Sequence, residues 1–267
     1  MKMPPVRRRH AMFPVLRLSL LFVLLPASAT IRIGLCECDS PPLLEFAPQS
    51  TEPVGGLIKD IGDLIAGQMN EEKAYVVLSR KRIDPALQKG EVDLVCYLNP
   101  AWTSVAPQLH WTDDVVPQTE VVVVDRNRAE KVRNMEDLKG MRLGLIHGFH
   151  YPQLVPLIVV GKIKPVYEND HLSNYKLLEQ KLVDGVVSSD LQVAYHQRNT
   201  APGTQAQGVS ALVLSAMPTF CAVPKASPIK VERVMQAVQQ LKAQGAFDKL
   251  INRYRQNEHT PSKTERP

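Results

Sequence analysis

The chain has 267 residues, of which 44% are hydrophobic and 22% charged, so it is long enough for two domains with packed cores or for one large domain. Its formal net charge of +5 comes entirely from the first 29 residues, which hold five basic residues and no acidic ones. Elsewhere the charges balance, and no basic stripe with interleaved aromatic residues is visible, which argues against a nucleic-acid partner.

Residues 1–29 have the pattern of a cleavable secretory signal peptide. A basic start is followed by a mainly apolar segment over 13–25 and by an Ala-Ser-Ala sequence that ends at Ala29. The uninterrupted apolar run is too short to span a bilayer, so we favour cleavage after Ala29 over an uncleaved anchor. The sequence therefore predicts a periplasmic protein.

The next part of the chain alternates strands and helices. Alternation of this kind predicts a parallel sheet with right-handed crossovers. The predicted elements are a strand over Ile31–Leu35, a helix over Leu57–Met69, a strand over Ala74–Leu78, a short helix from Asp84 to Gly90 and a strand over Val92–Tyr97.

Polar and aromatic residues follow two of these strands. Ligands of open α/β sheets bind outside the carboxyl ends of the strands, so these residues are candidates for ligand binding. Each of them is explained about as well by a solvated turn or by packing. The candidates are Glu37, Asp39 and Ser40 after the first strand, and Tyr97, Asn99, Trp102 and Thr103 at and after the last.

A capped turn, a buried strand and a second turn follow at 134–151. Asn134 is a good N-cap, Gly140 ends the short helix, and the run Met141–Ile146 predicts a strand in the interior of a sheet. Gly148 then allows a sharp turn, and the amides up to Tyr151 are predicted to form an anion cradle. Gly148 and Tyr151 are therefore candidate ligand-binding residues, whereas His147 and His150 are better explained as turn residues than as a metal pair.

The remainder predicts further strands and helices. A strand at 163–167 precedes a helix that is capped by Ser173, and the strand Gly185–Val187 ends at Ser189 and Asp190, two further binding candidates. Two return strands and two amphipathic helices complete the chain. The polar segment 257–267 is predicted to be disordered.

Four cysteines lie beyond the leader, at positions 36, 38, 96 and 221. A disulfide between Cys96 and either Cys36 or Cys38 is geometrically reasonable, but the sequence does not choose among the three possible pairings. A metal or redox site that uses Cys36 and Cys38 is a less favoured alternative. We predict no metal, no cofactor and no enzyme, because none of the common catalytic motifs appears.

Five segments, in order, resemble sequence blocks of bacterial extracellular solute-binding proteins of family 3, the polar amino-acid-binding group. They are SPPLLEF with VGGLIKDIGDLIAGQMN, DPALQKGEVDLVCY, HWTDDVVPQTEVVVV, MEDLKGMRLGLIHG and LKAQGAFDKLINRY. The resemblance implies a two-lobed α/β fold of the periplasmic-binding-protein type II. Lobe 1 would comprise 30–117 plus 209–256 and lobe 2 would comprise 118–208, with a two-strand hinge near Pro117.

The same resemblance implies a function. A monomer would close its hinge on a small polar solute, an amino acid or a related metabolite, and present it to an ABC-type importer. Two alternatives stay open: a sensing module that signals to a membrane partner, and a periplasmic enzyme similar to cyclohexadienyl dehydratase, with Glu37 or Asp190 as its acid.

The sequence departs from this family at two positions. The Arg that clamps the ligand carboxylate in the family is replaced by Val105, and no Arg lies between Arg82 and Arg126. A Lys or Arg from elsewhere, or the amides near Gly148, would have to replace it, or the ligand is not a standard α-amino acid. The family's ammonium-binding Asp corresponds by strict count to Ser189, with Asp190 one position late.

Overall fold

The structure is a computed structural model that describes residues 30–199 and 207–256, together with Met1. The predicted signal peptide and the predicted disordered tail lie outside these residues. The strands are β1 (Ile31–Cys36), β2 (Glu45–Phe46), β3 (Pro53–Gly55), β4 (Lys73–Leu78), β5 (Val95–Leu98), β6 (Leu109–Trp111), β7 (Pro117–Asp125), β8 (Arg142–Ile146), β9 (Lys164–Glu168), β10 (Gly185–Ser189), β11 (Gln207–Pro218) and β12 (Phe220–Pro224). The helices are α1 (Leu57–Met69), α2 (Arg80–Lys89), α3 (Val155–Val159), α4 (His171–Glu179), α5 (Asp190–Asn199), α6 (Val231–Ala243) and α7 (Ala246–Gln256).

The first lobe is built on β1, β4, β5, β6 and β12. β1 and β4 are parallel, a single bridge between Ile33 and Leu94 brings the chain before β5 beside β1, and β12 pairs antiparallel with β5 and β6. One face of α1 closes the core, because Leu57, Ile61 and Ile65 follow the helical repeat and are fully buried. Burial of each such side chain contributes about 1.5–3 kcal/mol.

The second lobe is a five-stranded sheet in the order β11-β7-β10-β8-β9. β8 is parallel to β9 and β10, while β7 is antiparallel to β10 and β11. The predicted interior position of the strand at 141–146 is confirmed, since β8 has a partner on both sides. The turn before β8 is closed by a capping box in which Asn134 and Asp137 bind each other's backbone N–H groups.

Two strands connect the lobes. β7 leaves the first lobe at Pro117, β11 returns to it at Pro218, and these two prolines are partners in the antiparallel register. The residues 209–218, which the sequence analysis places in lobe 1, pair with β7 in the second sheet. The two crossings therefore lie side by side.

Two helix starts differ from the sequence expectation. α2 begins at Arg80 rather than after Asp84, because the extended residue Ser79 ends the strand and precedes the first helical residue. Pro85 therefore lies inside the helix instead of at its start. α4 is capped by Asp170 rather than by Ser173, whose N–H and hydroxyl both donate to the Asp170 carboxylate. The earlier start of α2 places Arg80 at the carboxyl end of β4.

The structure chooses among the pairings that the sequence left open, and Cys96 pairs with neither Cys36 nor Cys38. The disulfides are Cys36–Cys38 and Cys96–Cys221. The reason is the position of β12, which pairs with β5 and brings the Cα atoms of Cys96 and Cys221 to 3.9 Å. Within 30–199 and 207–256, none of the helices is long and apolar enough to cross a membrane.

Candidate functional site

A cavity of about 90 Å³ lies between the two lobes. The carboxyl ends of β1 and β5 and the start of α2 form one wall, and β7, β10 and the segment after β8 form the other. This is where the fold predicts a ligand, because parallel strands direct their following loops to one edge of the sheet. The polar and aromatic lining from the first lobe is Asp39, Arg80, Tyr97 and Trp102, and that from the second is Gln118, Glu120, Phe149, His150, Tyr151, His171, Ser189 and Gln192.

Five of the eleven binding candidates from the sequence line this cavity. They come from four separate loops or strand ends, so the fold brings together residues that are up to 150 positions apart. The five are Asp39, Tyr97, Trp102, Tyr151 and Ser189.

The other six candidates are not part of the lining; one of them, Ser40, is buried, and its hydroxyl accepts from the Gln192 amide. Glu37 is exposed, and Asp190 is half-buried with its carboxylate accepting from the N–H of Leu191. Asn99 is buried, but its amide donates to the Pro218 carbonyl and its oxygen accepts from Ala101.

The hydroxyl of Thr103 likewise serves the backbone, because it accepts from the N–H of Val105. Gly148 is exposed and has a φ of 78°, and a Cβ there would lie 3.1 Å from Cγ of Arg80. Its role is to let Arg80 approach the turn. The N–H of Phe149 is not available for the predicted anion cradle, because it donates to the Ile146 carbonyl. The N-terminus of α3 does not contribute to the cradle either, because the helix begins only at Val155.

Arg80 is the basic residue of the cavity wall that the sequence analysis missed. Its guanidinium donates to the carbonyl of Trp102 at 2.7 Å and pairs with Asp84 at 3.3 Å, and it lies 5.9 Å from the ring centroid of Phe149 in the second lobe. Val105, at the family's Arg position, is buried in an apolar cluster. The cavity thus has a guanidinium, but one that is already neutralised by Asp84.

Two buried polar atoms in the cavity wall have no hydrogen-bond partner among the described residues. They are the hydroxyl of Tyr97, which is 8% exposed, and Nδ1 of His171, which is 6% exposed. Tyr97 also has a φ of 60°, a left-handed conformation that is rare for a bulky residue. Strain and unpartnered polar atoms both concentrate at functional sites, because a ligand can compensate the latter.

Two carboxyl groups in the cavity have raised pKa values. Burial raises the pKa of Asp39 to about 7, although the nearby Arg80 lowers it. Burial also raises the pKa of Glu120, which accepts from the Ser215 hydroxyl at 2.7 Å. Neither carboxyl has an ion pair in the described part of the chain, so burial outweighs the interactions that lower each pKa.

His171 is neutral in this site. Burial lowers its pKa to about 4, while Asp170 and the Val187 backbone act in the opposite direction. The upward effect of the Val187 backbone on the pKa is what a hydrogen bond from a ring N–H of His171 to a carbonyl produces. A neutral imidazole that donates one N–H has an acceptor at its other nitrogen.

A hydrogen-bonded chain joins the lobes at the edge of the cavity. The Ser189 hydroxyl donates to Oε1 of Gln192, and Nε2 of Gln192 donates across the cleft to the Ser40 hydroxyl, both at 2.9 Å. All three side chains are buried. The two lobes therefore touch directly as well as around the cavity.

The sulfurs of Cys36 and Cys38 and the carboxylate of Asp39 lie within 4.8 Å of one another. This is the metal or redox alternative considered from the sequence. Because the two sulfurs are joined in a disulfide, they cannot act as thiolate ligands in this form. His150 lines the cavity without joining this group, whereas His147 stacks on Tyr167.

The tyrosine in the second wall contributes its ring rather than its hydroxyl. The Tyr151 hydroxyl accepts from the N–H of Ile146 at 3.0 Å and fixes the turn after β8. Burial holds the pKa of Tyr151 well above its ordinary value. Tyr151 is therefore a structural part of the wall that presents an apolar face to the cavity.

Solved structures with the same fold include binding proteins and related modules. An ancestral arginine-binding protein bound to arginine is 23% identical with a TM-score of 0.70, over 84% of this chain and 97% of that one. A histidine kinase sensor domain is 19% identical with a TM-score of 0.69, over 84% and 95% of the two chains.

The ancestral amino acid-binding protein AncCDT-1, a precursor of cyclohexadienyl dehydratase, is 20% identical with a TM-score of 0.68, over 84% and 94%. At these identities the likeness shows a shared two-lobed fold. No curated protein sequence matches this chain significantly. A family model, however, matches residues 31–257, which is nearly all of the chain beyond the predicted leader. The chain therefore belongs to the bacterial extracellular solute-binding proteins, family 3.

Proposed function

We propose that this protein captures a small polar solute, an amino acid or a related metabolite, between its two lobes and delivers it to an ABC-type importer. One observation carries the proposal: the cavity between the lobes has the buried, unpartnered hydroxyl of Tyr97 and Nδ1 of His171 in its wall. Buried polar atoms without partners cost free energy, which a ligand with complementary groups recovers. Membership of the family and the arginine-bound relative support this function.

The proposed motion is a hinge closure at the paired prolines Pro117 and Pro218. In this proposal the residues before Pro117 and after Pro218 move as one lobe, and the segment between them moves as the other. The two side-by-side crossings and the direct contact of Gln192 with Ser40 support it. A ligand would favour the closed form by bridging the two walls.

The proposed ligand contacts are the five sequence candidates that line the cavity, with Arg80 added. Trp102 is a suitable reporter, because its half-buried indole lies in the wall. The proposed location is the periplasm, in agreement with the extracellular family. The proposed oligomeric state is a monomer.

A sensing module is the second candidate function. The similarity to a histidine kinase sensor domain favours it, and both functions need the same closed form. A permease gene beside this gene would support transport, and a kinase gene would support sensing. The dehydratase alternative has less support, because Glu37 is exposed and Asp190 lies outside the cavity lining.

The test is a thermal-shift screen of residues 30–267 against amino acids, amines, dicarboxylates and other small metabolites, followed by fluorescence titration of each hit. At 100 times its Kd, a ligand stabilises the folded state by about 2.7 kcal/mol, or roughly 5–10 °C in Tm for a chain of this size. The Trp111→Phe variant leaves Trp102 as the fluorescent residue, and Trp102→Phe is its matched control. A ligand that shifts Tm without changing Trp102 emission binds elsewhere, and the absence of any hit contradicts the proposed function.

A further inference from the structure

The chemical groups around the cavity bear on which class of solute it accepts, an inference that rests on the proposed function. The first observation is the balance of charge. Arg80 is paired with Asp84, and Asp190, whose pKa is raised by burial, has Arg255 near enough to offset part of that rise. The acidic groups of the cavity wall that have no ion pair among the described residues are Asp39 and Glu120, which lie in opposite walls.

The balance of donors and acceptors points the same way. Nδ1 of His171 is an acceptor without a donor, and the Tyr97 hydroxyl can also accept. The side-chain amides of the wall already donate, Gln192 to Ser40 at 2.9 Å and Gln118 to Glu120 at 3.5 Å, and Arg80 keeps only the N–H groups that are not bonded to Trp102 or Asp84. A ligand rich in N–H donors would satisfy these acceptors.

The electrostatic surroundings of Tyr97 agree with this. Burial raises its pKa well above the ordinary value, and the carboxylates of Asp190, Asp39 and Glu120 add to the effect. A negative potential around a buried hydroxyl favours a cation nearby. Aromatic rings in the same walls, among them Trp102 and Phe149, provide faces on which a cation is stabilised.

We propose that the ligand of this cleft carries a protonated amine, held between Asp39 and Glu120, with Tyr97 and His171 as further acceptors. A carboxylate on the ligand is not required, because Arg80, the arginine in the lining formed by the described residues, is already paired with Asp84. The ligand class is thus that of small amines, rather than of solutes recognised by their carboxylate.

The test compares three four-carbon solutes that differ in their end groups: putrescine with two amines, γ-aminobutyrate with one amine and one carboxylate, and succinate with two carboxylates. Isothermal titration at pH 7.5 is expected to give at least tenfold tighter binding for putrescine than for succinate, and no tighter binding for γ-aminobutyrate than for putrescine. Binding is also expected to release protons, because a cation lowers the pKa of Asp39, and titrations in two buffers of different ionisation enthalpy measure this release.

Three variants assign the effect to residues. Asp39→Asn and Glu120→Gln keep the size of the side chain and are each expected to weaken putrescine binding by tenfold or more, since a hydrogen bond to a charged group is lost. Asp113→Asn removes an exposed carboxylate outside the cavity and is expected to change nothing. Circular dichroism confirms that each variant is folded.

Tighter binding of succinate or γ-aminobutyrate than of putrescine overturns this inference, and so does wild-type affinity in the folded Asp39→Asn and Glu120→Gln variants. A failure of putrescine to bind also overturns it. The proposed function is judged separately. If putrescine fails to bind but another solute binds in the broad screen, the solute-binding function is supported and only the inference of amine selectivity is refuted.

Discussion

Replacement of Tyr97 by Phe removes one oxygen atom from the cavity wall and is expected to change stability and affinity in opposite directions. The Tyr97 hydroxyl has no partner among the described residues, so the folded protein carries the cost of its lost hydration. Such a group costs about 1–3 kcal/mol, and its removal is expected to raise Tm by at least about 2 °C. The backbone strain at this position is unchanged by the substitution.

The affinity for the ligand is expected to fall in the same variant. Loss of one hydrogen bond corresponds to about 0.5–1.5 kcal/mol, or up to tenfold in Kd. Tyr175→Phe is the matched control, because the Tyr175 hydroxyl is also buried but donates to the Ser188 hydroxyl at 2.9 Å. That variant is expected to lose about 1 kcal/mol of stability and to keep its affinity.

Differential scanning fluorimetry and isothermal titration on the two variants check this reasoning. The two changes in Tm should have opposite signs, and only Tyr97→Phe should bind more weakly. A fall in Tm for Tyr97→Phe as large as that for Tyr175→Phe would mean that the Tyr97 hydroxyl has a partner. Unchanged affinity would mean that the ligand does not use it.

Two further predictions concern pH and the disulfides. The folded pKa of Asp39, about 7, lies above its ordinary value of 3.8, so its contribution to stability is present at pH 4 and is lost as the pH rises through 7. The free energy of unfolding of Asp39→Asn should therefore rise by roughly 4 kcal/mol relative to that of the wild type between pH 4 and pH 8, as measured from Tm across that range. Replacement of both Cys96 and Cys221 by Ala should cost about 4 kcal/mol, because this disulfide joins residues 125 positions apart, whereas the same change at Cys36 and Cys38, two positions apart, should cost far less.

The pH prediction fails if the difference in unfolding free energy between Asp39→Asn and the wild type is the same at pH 4 and pH 8. Groups near Asp39 that titrate or carry charge, namely Arg80 and Tyr97, are the same in both proteins and cancel in the comparison. The disulfide prediction is contradicted by equal losses in the two double variants.

Much of the fold follows from local sequence patterns. Apolar residues at every fourth position predict the helix α1 with one buried face, and the apolar run predicts the strand β8 buried on both faces. The structure has both elements. The cysteine pairing did not follow, because it depends on where β12 inserts between distant strands. Long-range strand order is not encoded in any short pattern.

The candidate site was predictable where residues follow strands, as Asp39 and Tyr97 do. Arg80 was missed because Asp84 and Pro85 together are typical of a helix start, whereas Ser79 directly after β4 is the actual start. Glu120 was missed directly before a run of four valines, although a single carboxylate in a buried strand is itself a signal of function. His171 lies at the start of α4 and enters the cavity only through the packing of that helix on the second sheet.

The direct hydrogen bond from Gln192 to Ser40 has a consequence for any membrane partner. Because both partners of this bond belong to the protein, it adds to the free energy of closure whether or not a solute is bound, so a fraction of the empty molecules is expected to adopt the shape that a partner would recognise. Occupied and empty molecules would then compete for the same partner. The output of such a system would report the ratio of the two forms, so its response would depend on the amount of protein as well as on the concentration of solute.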